Sequence, residues 1–184
     1  MILKDLLDDN IKKFGEYAFL YYNGKSISNV ETRNYADQLA NGLLELGIKK
    51  DDKVIVCLPN CPEVIISYQG ITRAGAITVP VMYMLHPNEI YYIAKNSSAK
   101  AIITSSHLLN NVEKAIEGLL PKPLIIAIDI PGNERVFNFY EIMNSSSDKR
   151  HVQPNSIRED DIAIILFTSG TTGNPKAVVL THKN

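Results

Sequence analysis

The residues best suited to chemistry lie close together in the segment LFTSGTTGNPK, residues 166–176. From Thr168 to Lys176 this segment holds four hydroxyl residues, two glycines and one cation. Glycine adopts backbone conformations that let neighbouring N–H groups converge, and converging N–H groups form a nest that binds anions. The hydroxyls add donors, and the lysine ammonium adds a charge suited to phosphate. The segment therefore favours a phosphate-binding loop, with a Ser/Thr/Gly-rich surface turn as the alternative.

The familiar nucleotide P-loop, G-x-x-x-x-G-K-[ST], does not fit this segment. Counting from Gly170, Pro175 stands where that motif requires glycine, and Ala177 stands where it requires the Ser or Thr that binds Mg²⁺. Proline also lacks the N–H group that a phosphate cradle uses. The sequence therefore predicts a phosphate loop of another kind.

Local signals predict the elements at the start of the chain. Apolar residues at helical spacing from Leu3 to Phe14 indicate an amphipathic helix. Asn23-Gly24 suits the turn of a hairpin between residues 17–22 and 25–28. Ser28 and Glu31 have the spacing of a capping box, so they predict the start of a helix, and Gly47 is expected to end it.

From there the pattern alternates between short apolar runs and helical segments. Such alternation is typical of an open α/β fold, a largely parallel sheet with helices on both faces. The predicted strands are residues 54–58, 76–80, 101–104 and 124–128, and the predicted helices cover 62–74, about 87–95 and a segment ending near 118.

The last part of the chain divides into a connector and a loop-bearing unit. Residues 144–160 are strongly polar and are interpreted as a solvated connector. Residues 161–180 are interpreted as a strand, the phosphate-binding loop and a second strand. In open α/β sheets, ligands bind beyond the ends of strands, which is where this loop would lie.

Composition excludes several classes of protein. Of 184 residues, 45% are hydrophobic, and 19 basic and 20 acidic side chains leave a net charge near −1. This balance gives no electrostatic sign of a nucleic-acid or anionic-membrane partner. No apolar run approaches the roughly 20 residues of a transmembrane segment, and charges interrupt the first residues where a signal peptide would be apolar. We therefore expect a cytoplasmic protein.

The cysteines and histidines give little evidence of a separate site. Cys57 is interpreted as a buried strand residue, and Cys61 as the start of a helix whose dipole would lower its thiol pKa. Two cysteines are too few for a structural zinc site. His182 is expected to have a structural role, and no chemistry is assigned to the other three histidines, which are His86, His107 and His151.

The segment TSGTTGNPKAVVLTH, residues 168–182, closely resembles the phosphate-binding signature of the adenylate-forming superfamily, which includes acyl-CoA and aryl-CoA synthetases. Residues 47–54 and 71–80 and the pair Asp160-Asp161 also resemble family segments. One departure is Ala177, where the family usually has a glycine that would serve either close packing or loop mobility. The resemblance implies the N-terminal part of the large domain of the adenylate-forming fold, so residues 1–184 would be an incomplete N-terminal α/β subdomain.

The family joins a carboxylic acid to AMP from ATP and then passes the acyl group to a thiol. By resemblance, this chain would use ATP and Mg²⁺, with coenzyme A as co-substrate. Thr172 is the candidate contact to Mg²⁺, and Lys176 would neutralise charge on the departing pyrophosphate. The residues that would bind the phosphates are Thr168, Ser169, Gly170, Thr171, Thr172, Gly173 and Lys176.

The resemblance places no catalytic residue within the chain, because the family's acyl pocket, hinge and catalytic lysine follow this segment. The chain alone is therefore expected to be inactive and to self-associate through exposed apolar surface. The segment L-T-H-x-N, residues 180–184, resembles fatty acyl-CoA ligases and favours a fatty acid as substrate. The alternatives are a non-catalytic nucleotide- or partner-binding module and part of a peptide-synthetase adenylation domain.

Overall fold

A computed structural model describes residues 2–145, 157–168 and 175–184. The chain begins with one 3-10 turn, Leu3–Asp5, and helix α1, Leu6–Phe14. A two-stranded antiparallel hairpin follows, formed by β1, Ala18–Tyr22, and β2, Lys25–Ser28. Its turn residues have positive φ angles, 48° at Asn23 and 73° at Gly24, which confirms the predicted hairpin and its Asn-Gly turn.

Helix α2 covers Asn29–Glu45 and begins with the predicted capping box. The Ser28 hydroxyl accepts a hydrogen bond from the Glu31 N–H, and the Glu31 carboxylate accepts one from the Ser28 N–H. Gly47 has a φ of 86°, a conformation that favours glycine, and the helix ends just before it. The sequence signals at both ends of this helix are therefore confirmed.

Most of the other elements alternate along the chain as predicted. The strands are β3, Lys53–Val56; β4, Ile77–Pro80; β5, Ala101–Thr104; β6, Leu124–Ala127; β7, Val136–Asn138; β8, Ile162–Thr168; and β9, Lys176–Thr181. The helices are α3, Pro62–Arg73; α4, Pro87–Ser97; α5, Ser106–Ile116; and α6, Phe139–Ser145.

These strands form one sheet of seven, in the order β7-β6-β5-β3-β4-β8-β9. Every pairing is parallel except that of β8 with β9, which is antiparallel. The prediction of an open, largely parallel sheet is confirmed. The one antiparallel pair is the hairpin that carries the candidate loop.

Two apolar cores cover the two faces of the sheet. One packs α4 and α5 against strand residues such as Ile55 and Ile102. The other packs α2, α3 and α6 against strand residues such as Val54 and Ile103. Because adjacent strand residues point to opposite faces, continuous apolar runs such as β5 serve both cores. Each fully buried Leu, Ile or Val contributes about 1.5–3 kcal/mol by leaving water.

Strand β7 and helix α6 were not predicted. Asn138 connects them, since its side-chain oxygen accepts hydrogen bonds from the backbone N–H groups of Tyr140 and Glu141 at 2.9 Å. A strand with only two apolar residues is too short to give a periodic signal.

The predicted connector, residues 144–160, lies mostly outside the described residues. Among the described residues, no helix is long and apolar enough to span a membrane.

Candidate phosphate-binding site

The β8–β9 hairpin brings the two ends of the predicted loop together. Thr168 is the last residue of β8 and pairs with Lys176, the first residue of β9. The Thr168 hydroxyl lies 3.4 Å from the Lys176 carbonyl oxygen, within hydrogen-bonding distance, and the contact is exposed. The other predicted phosphate ligands, including Thr172 as the candidate Mg²⁺ contact, fall in residues 169–173, which lie outside the described residues.

The topology of the sheet places this hairpin where α/β folds bind ligands. Strand β8 runs parallel to β4, with Ile164 paired to Thr78. Thr168 therefore lies at the carboxyl edge of the parallel sheet. Open α/β sheets bind ligands at this edge, outside the ends of the strands.

The Lys176 ammonium is available to a ligand. Lys176 forms none of the ion pairs found among the described residues. An exposed ammonium on the first residue of β9 can approach an anion bound at the loop without first breaking an internal pair. Its neighbour Ala177 pairs with Phe167, so the position where the family usually has glycine lies within the strand ladder.

Asp161 fastens the base of the hairpin to the turn between α2 and β3. Its carboxylate lies 2.7 Å from the Lys50 ammonium and also accepts a hydrogen bond from the Arg158 N–H at 2.8 Å. The hydrogen bond from Lys50, with the Arg158 N–H in addition, lowers the pKa of Asp161. Asp161 is therefore ionised at neutral pH, and its contacts hold the start of β8 in place.

His182 fastens the same open end of the hairpin from the side of β9. It is buried, at 5% exposure, and its backbone N–H donates to the Asp161 carbonyl at 3.1 Å. Its Nδ1 accepts a hydrogen bond from the Leu3 N–H at 3.3 Å. Burial lowers the pKa of His182, so the ring is neutral at physiological pH. These contacts agree with the structural role predicted for His182.

The prediction for Cys61 was wrong. Cys61 does precede α3, but burial, followed by the hydrogen bond to Glu63 and its charge, raises the thiol pKa to about 12. These effects outweigh the hydrogen bonds from the backbone N–H groups of Glu63 and Val64. Cys57 is buried as predicted, and burial raises its pKa to about 11. No group of three or more metal-ligating side chains occurs among the described residues.

Comparison with known proteins identifies this arrangement. The family model described as AMP-binding enzyme matches residues 7–184, nearly the whole chain including the hairpin. The chain belongs to the AMP-binding enzyme family. The resemblance of the loop segment to the adenylate-forming superfamily is thereby confirmed.

Curated proteins that resemble the chain include CoA ligases. The crotonobetaine/carnitine–CoA ligase of Escherichia coli O17:K52:H18 is 33% identical over 99% of the chain, which corresponds to 37% of that ligase. The 4-coumarate–CoA ligase 3 of Arabidopsis thaliana is 34% identical over 88% of the chain and 28% of that ligase. The chain thus spans about a third of the length of these relatives, 37% of the first and 28% of the second.

Solved structures agree on the fold. The anthranilate CoA ligase AuaEII, solved in complex with anthranoyl-AMP, superposes with a TM-score of 0.86 at 26% identity, over 100% of the chain and 35% of that protein. A putative long-chain-fatty-acid CoA ligase from Rhodopseudomonas palustris gives 0.87 at 22% identity, over 99% and 44%. The fold predicted from the resemblance, that of adenylate-forming enzymes, is confirmed.

Sequence reasoning did not find the contacts that hold the hairpin in place. The sequence predicts Asp161 as the first residue of the strand before the loop and as a position that resembles the family, but its pairing with Lys50 was not predicted. The only available signal was an aspartate that ends a polar run, residues 158–161, just before an apolar strand. It does not identify a partner that is distant in the chain.

Proposed function

We propose that this chain is the phosphate-binding, N-terminal part of an acid–thiol ligase that activates a carboxylic acid with ATP. The observation that carries the proposal is the hairpin at the carboxyl edge of the sheet, which closes TSGTTGNPK between a hydroxyl and an exposed lysine. The membership of the chain in the AMP-binding family and its similarity to CoA ligases support the same reaction.

In the proposed reaction, a carboxylate oxygen attacks the α-phosphorus of ATP and forms the acyl-adenylate. The bond from that phosphorus to the bridging oxygen breaks, and its electron pair leaves with pyrophosphate. Thr168 and the loop hydroxyls would donate hydrogen bonds to the β- and γ-phosphates, and Lys176 would stabilise the charge that develops on the leaving group. Fixing the triphosphate also holds the α-phosphorus in line for attack.

Mg²⁺ would accompany the triphosphate, with the Thr172 hydroxyl as its proposed contact from this chain. When bound, the ion would neutralise phosphate charge. In the second half-reaction, the thiol of coenzyme A would take the acyl group and release AMP. Because the chain corresponds to 37% of the carnitine ligase relative, we propose that residues 1–184 form an incomplete subdomain that is inactive alone.

The proposed acid is a fatty acid, on the resemblance of residues 180–184 to fatty acyl-CoA ligases. The relatives are named for crotonobetaine and carnitine, coumarate and anthranilate. A panel of acids that includes each of these classes therefore tests the substrate directly.

The test is exchange of labelled pyrophosphate into ATP by the full-length protein, with fatty, aryl and betaine acids in turn. Exchange that depends on one class of acid would support adenylation and identify that class. ATP binding without exchange across the panel would contradict the proposal and favour a non-catalytic nucleotide-binding module.

The lysine has its own test in the same assay. Lys176→Ala should lower kcat/KM for ATP by about 10²–10³-fold, the usual cost of losing one group that stabilises developing charge. Lys114→Ala is the matched control, because Lys114 is also exposed but lies on α5. Equal kinetics for the two variants would exclude the role assigned to Lys176.

A further inference from the structure

Strand β9 lies at the edge of the sheet and has β8 as its only neighbour among the described strands. From Lys176 to Val179 all of its residues are exposed, on both faces. The register of a strand is strongly fixed only where one face is buried. The pairing of β9 with β8 therefore depends on few contacts beyond the ladder itself.

The register decides which face of the sheet presents Lys176. In the observed pairing, Lys176 lies opposite Thr168, and it shares a face with Val178 and Leu166. A slip of one residue would turn every side chain of β9 to the other face. Lys176 would then lie on the face of Ile165 and Phe167, which the core beneath α4 and α5 covers.

The contacts that oppose such a slip are at the open end of the hairpin, opposite the loop. His182 follows β9 directly, and its backbone N–H donates to the carbonyl of Asp161 at 3.1 Å. Its Nδ1 accepts from the N–H of Leu3 at 3.3 Å, a bond to the first segment of the chain. The carboxylate of Asp161 is held in turn by Lys50. The end of β9 is thus tied to two parts of the structure outside the hairpin.

We infer that His182 is a positioning residue, whose two hydrogen bonds fix the register of β9 and so place Lys176 opposite Thr168 at the phosphate loop. This inference rests on the proposed function for the role of Lys176 but not for the register itself. The distance between the His182 ring and the loop is no obstacle, because a strand transmits register along its whole length.

The hydrogen bond to Leu3 requires the neutral ring with its proton on Nε2, since only an unprotonated Nδ1 accepts. The charged groups that influence the ring are Asp161 and Asp5, which favour protonation, and Lys50 and Lys4, which oppose it. Burial also opposes protonation of the ring, so it lowers the pKa of His182 in the same direction as the lysines.

The experiment compares three variants of the full-length protein by amide hydrogen exchange and by steady-state kinetics. His182→Leu removes the acceptor, whereas His182→Asn supplies a side-chain oxygen near the position of Nδ1. Leu3→Pro removes the donor and leaves His182 unchanged. Proline fits there because Leu3 is the first residue of its helical turn and Ile2 has the extended conformation, φ −96° and ψ 132°, that proline requires of its predecessor.

We expect His182→Leu and Leu3→Pro to speed exchange of the β9 amides at least tenfold while β5 and β6 stay protected. The kcat/KM for ATP should fall about tenfold, mainly through kcat, because Lys176 is proposed to act on charge that develops in the transition state. His182→Asn should keep most of the β9 protection and most of kcat/KM. Unchanged β9 exchange in both disruptive variants would overturn the inference. If His182→Leu loses protection throughout the sheet, Leu3→Pro becomes the deciding variant. Faster exchange confined to β9 in Leu3→Pro would then support the inference, and unchanged β9 exchange would overturn it.

The two proposals fail separately. Loss of β9 protection together with normal ATP kinetics in Lys176→Ala would reject the phosphate role and support the register role. A large loss of kcat/KM for ATP in Lys176→Ala, with unchanged β9 protection in His182→Leu and Leu3→Pro, would support the phosphate role and reject the register role.

Discussion

At the scale of single residues, environment outweighs position in deciding the chemistry of Cys61. The start of a helix favours the thiolate, but burial and the neighbouring Glu63 carboxylate favour the protonated thiol. The same competition applies to His182, where burial exceeds the attraction of Asp161 and Asp5. In both cases the deciding groups are brought close by folding, and their effect was not evident from the sequence.

The Cys61 thiol gives the first prediction. At pH 8 the folded chain should react slowly with iodoacetamide at both cysteines, because both thiol pKa values are raised well above that pH. Glu63→Gln removes the charge that opposes the thiolate, so alkylation of Cys61 should accelerate by up to roughly tenfold. Mass spectrometry of the labelled peptides measures both rates, with Cys57 as the internal control. Acceleration at Cys57 alone would contradict the account.

The pH dependence of stability tests His182. Because its folded pKa is lowered, the unfolded chain binds more protons as the pH falls below the unfolded value of about 6.5. The free energy of unfolding should therefore fall with pH in that window, by up to about 1.4 kcal/mol per pH unit from this residue, until the pH passes the folded pKa. Denaturant unfolding of the original chain and of His182→Asn measures the difference. Parallel pH profiles would show that the ring does not titrate differently on folding.

At the scale of elements, the contact between α2 and α3 depends on a glycine. A Cβ atom added at Gly70 would lie 2.8 Å from the Leu39 Cδ2 atom and 3.0 Å from its Cβ atom, too close for either helix to remain in place. This requirement comes from close approach, since the backbone of Gly70 is helical.

Gly70→Ala should therefore lower the free energy of unfolding by about 1–3 kcal/mol, as overpacked cores do. Gly118→Ala is the matched control, because a Cβ atom added there would meet no other atom within 4 Å and the φ angle of Gly118 is not positive. That change should be neutral or stabilise by up to about 1 kcal/mol. Equal effects of the two substitutions in thermal or denaturant unfolding would exclude the packing explanation.

The elements also show what the sequence could predict. The hairpin turn at Asn23-Gly24, the capping box at Ser28 and Glu31 and the helix end near Gly47 follow from local chemistry, and all are confirmed. Strand β7 and helix α6 were missed because they are short. The ends of the candidate loop were predicted from residue types. The contacts of Asp161 and His182 at the open end of the hairpin were not, because they join residues that only folding brings together.

At the scale of the whole molecule, Arg73 joins three helices. Its side chain is buried, and its guanidinium contacts Asp8 of α1 at 2.6 Å and Asp37 of α2 at 2.9 Å. A buried charge is costly unless it is paired. The arginine at the end of α3 therefore couples the first helix to α2 and α3, two of the helices that cover one face of the sheet.

Removing the two carboxylates and removing the arginine should lower the free energy of unfolding by different amounts. The double change Asp8→Asn and Asp37→Asn leaves the Arg73 charge buried without a carboxylate and should cost about 3–5 kcal/mol. Arg73→Met removes the charge and leaves two carboxylates with access to water, so it should cost clearly less. Denaturant unfolding of the two variants provides the comparison. A larger loss in Arg73→Met would contradict this reasoning.

The uncovered end of the sheet predicts how the 184-residue chain behaves in solution. Leu166 and Val178 form a cross-strand pair, and with Val179 they leave 36–50% of each residue exposed on the edge pair of strands. An exposed apolar edge strand is a template for pairing with another chain. We therefore expect the chain to self-associate, with an average mass by light scattering that rises with concentration.

Val179→Lys should shift this rise to higher concentration, because charge on an edge strand opposes pairing. Tyr21→Lys, on the separate β1–β2 hairpin and 78% exposed before substitution, is the control. If the mass stays monomeric at all concentrations, the edge does not mediate association; if both lysine variants act equally, general charge and not the edge strand is responsible.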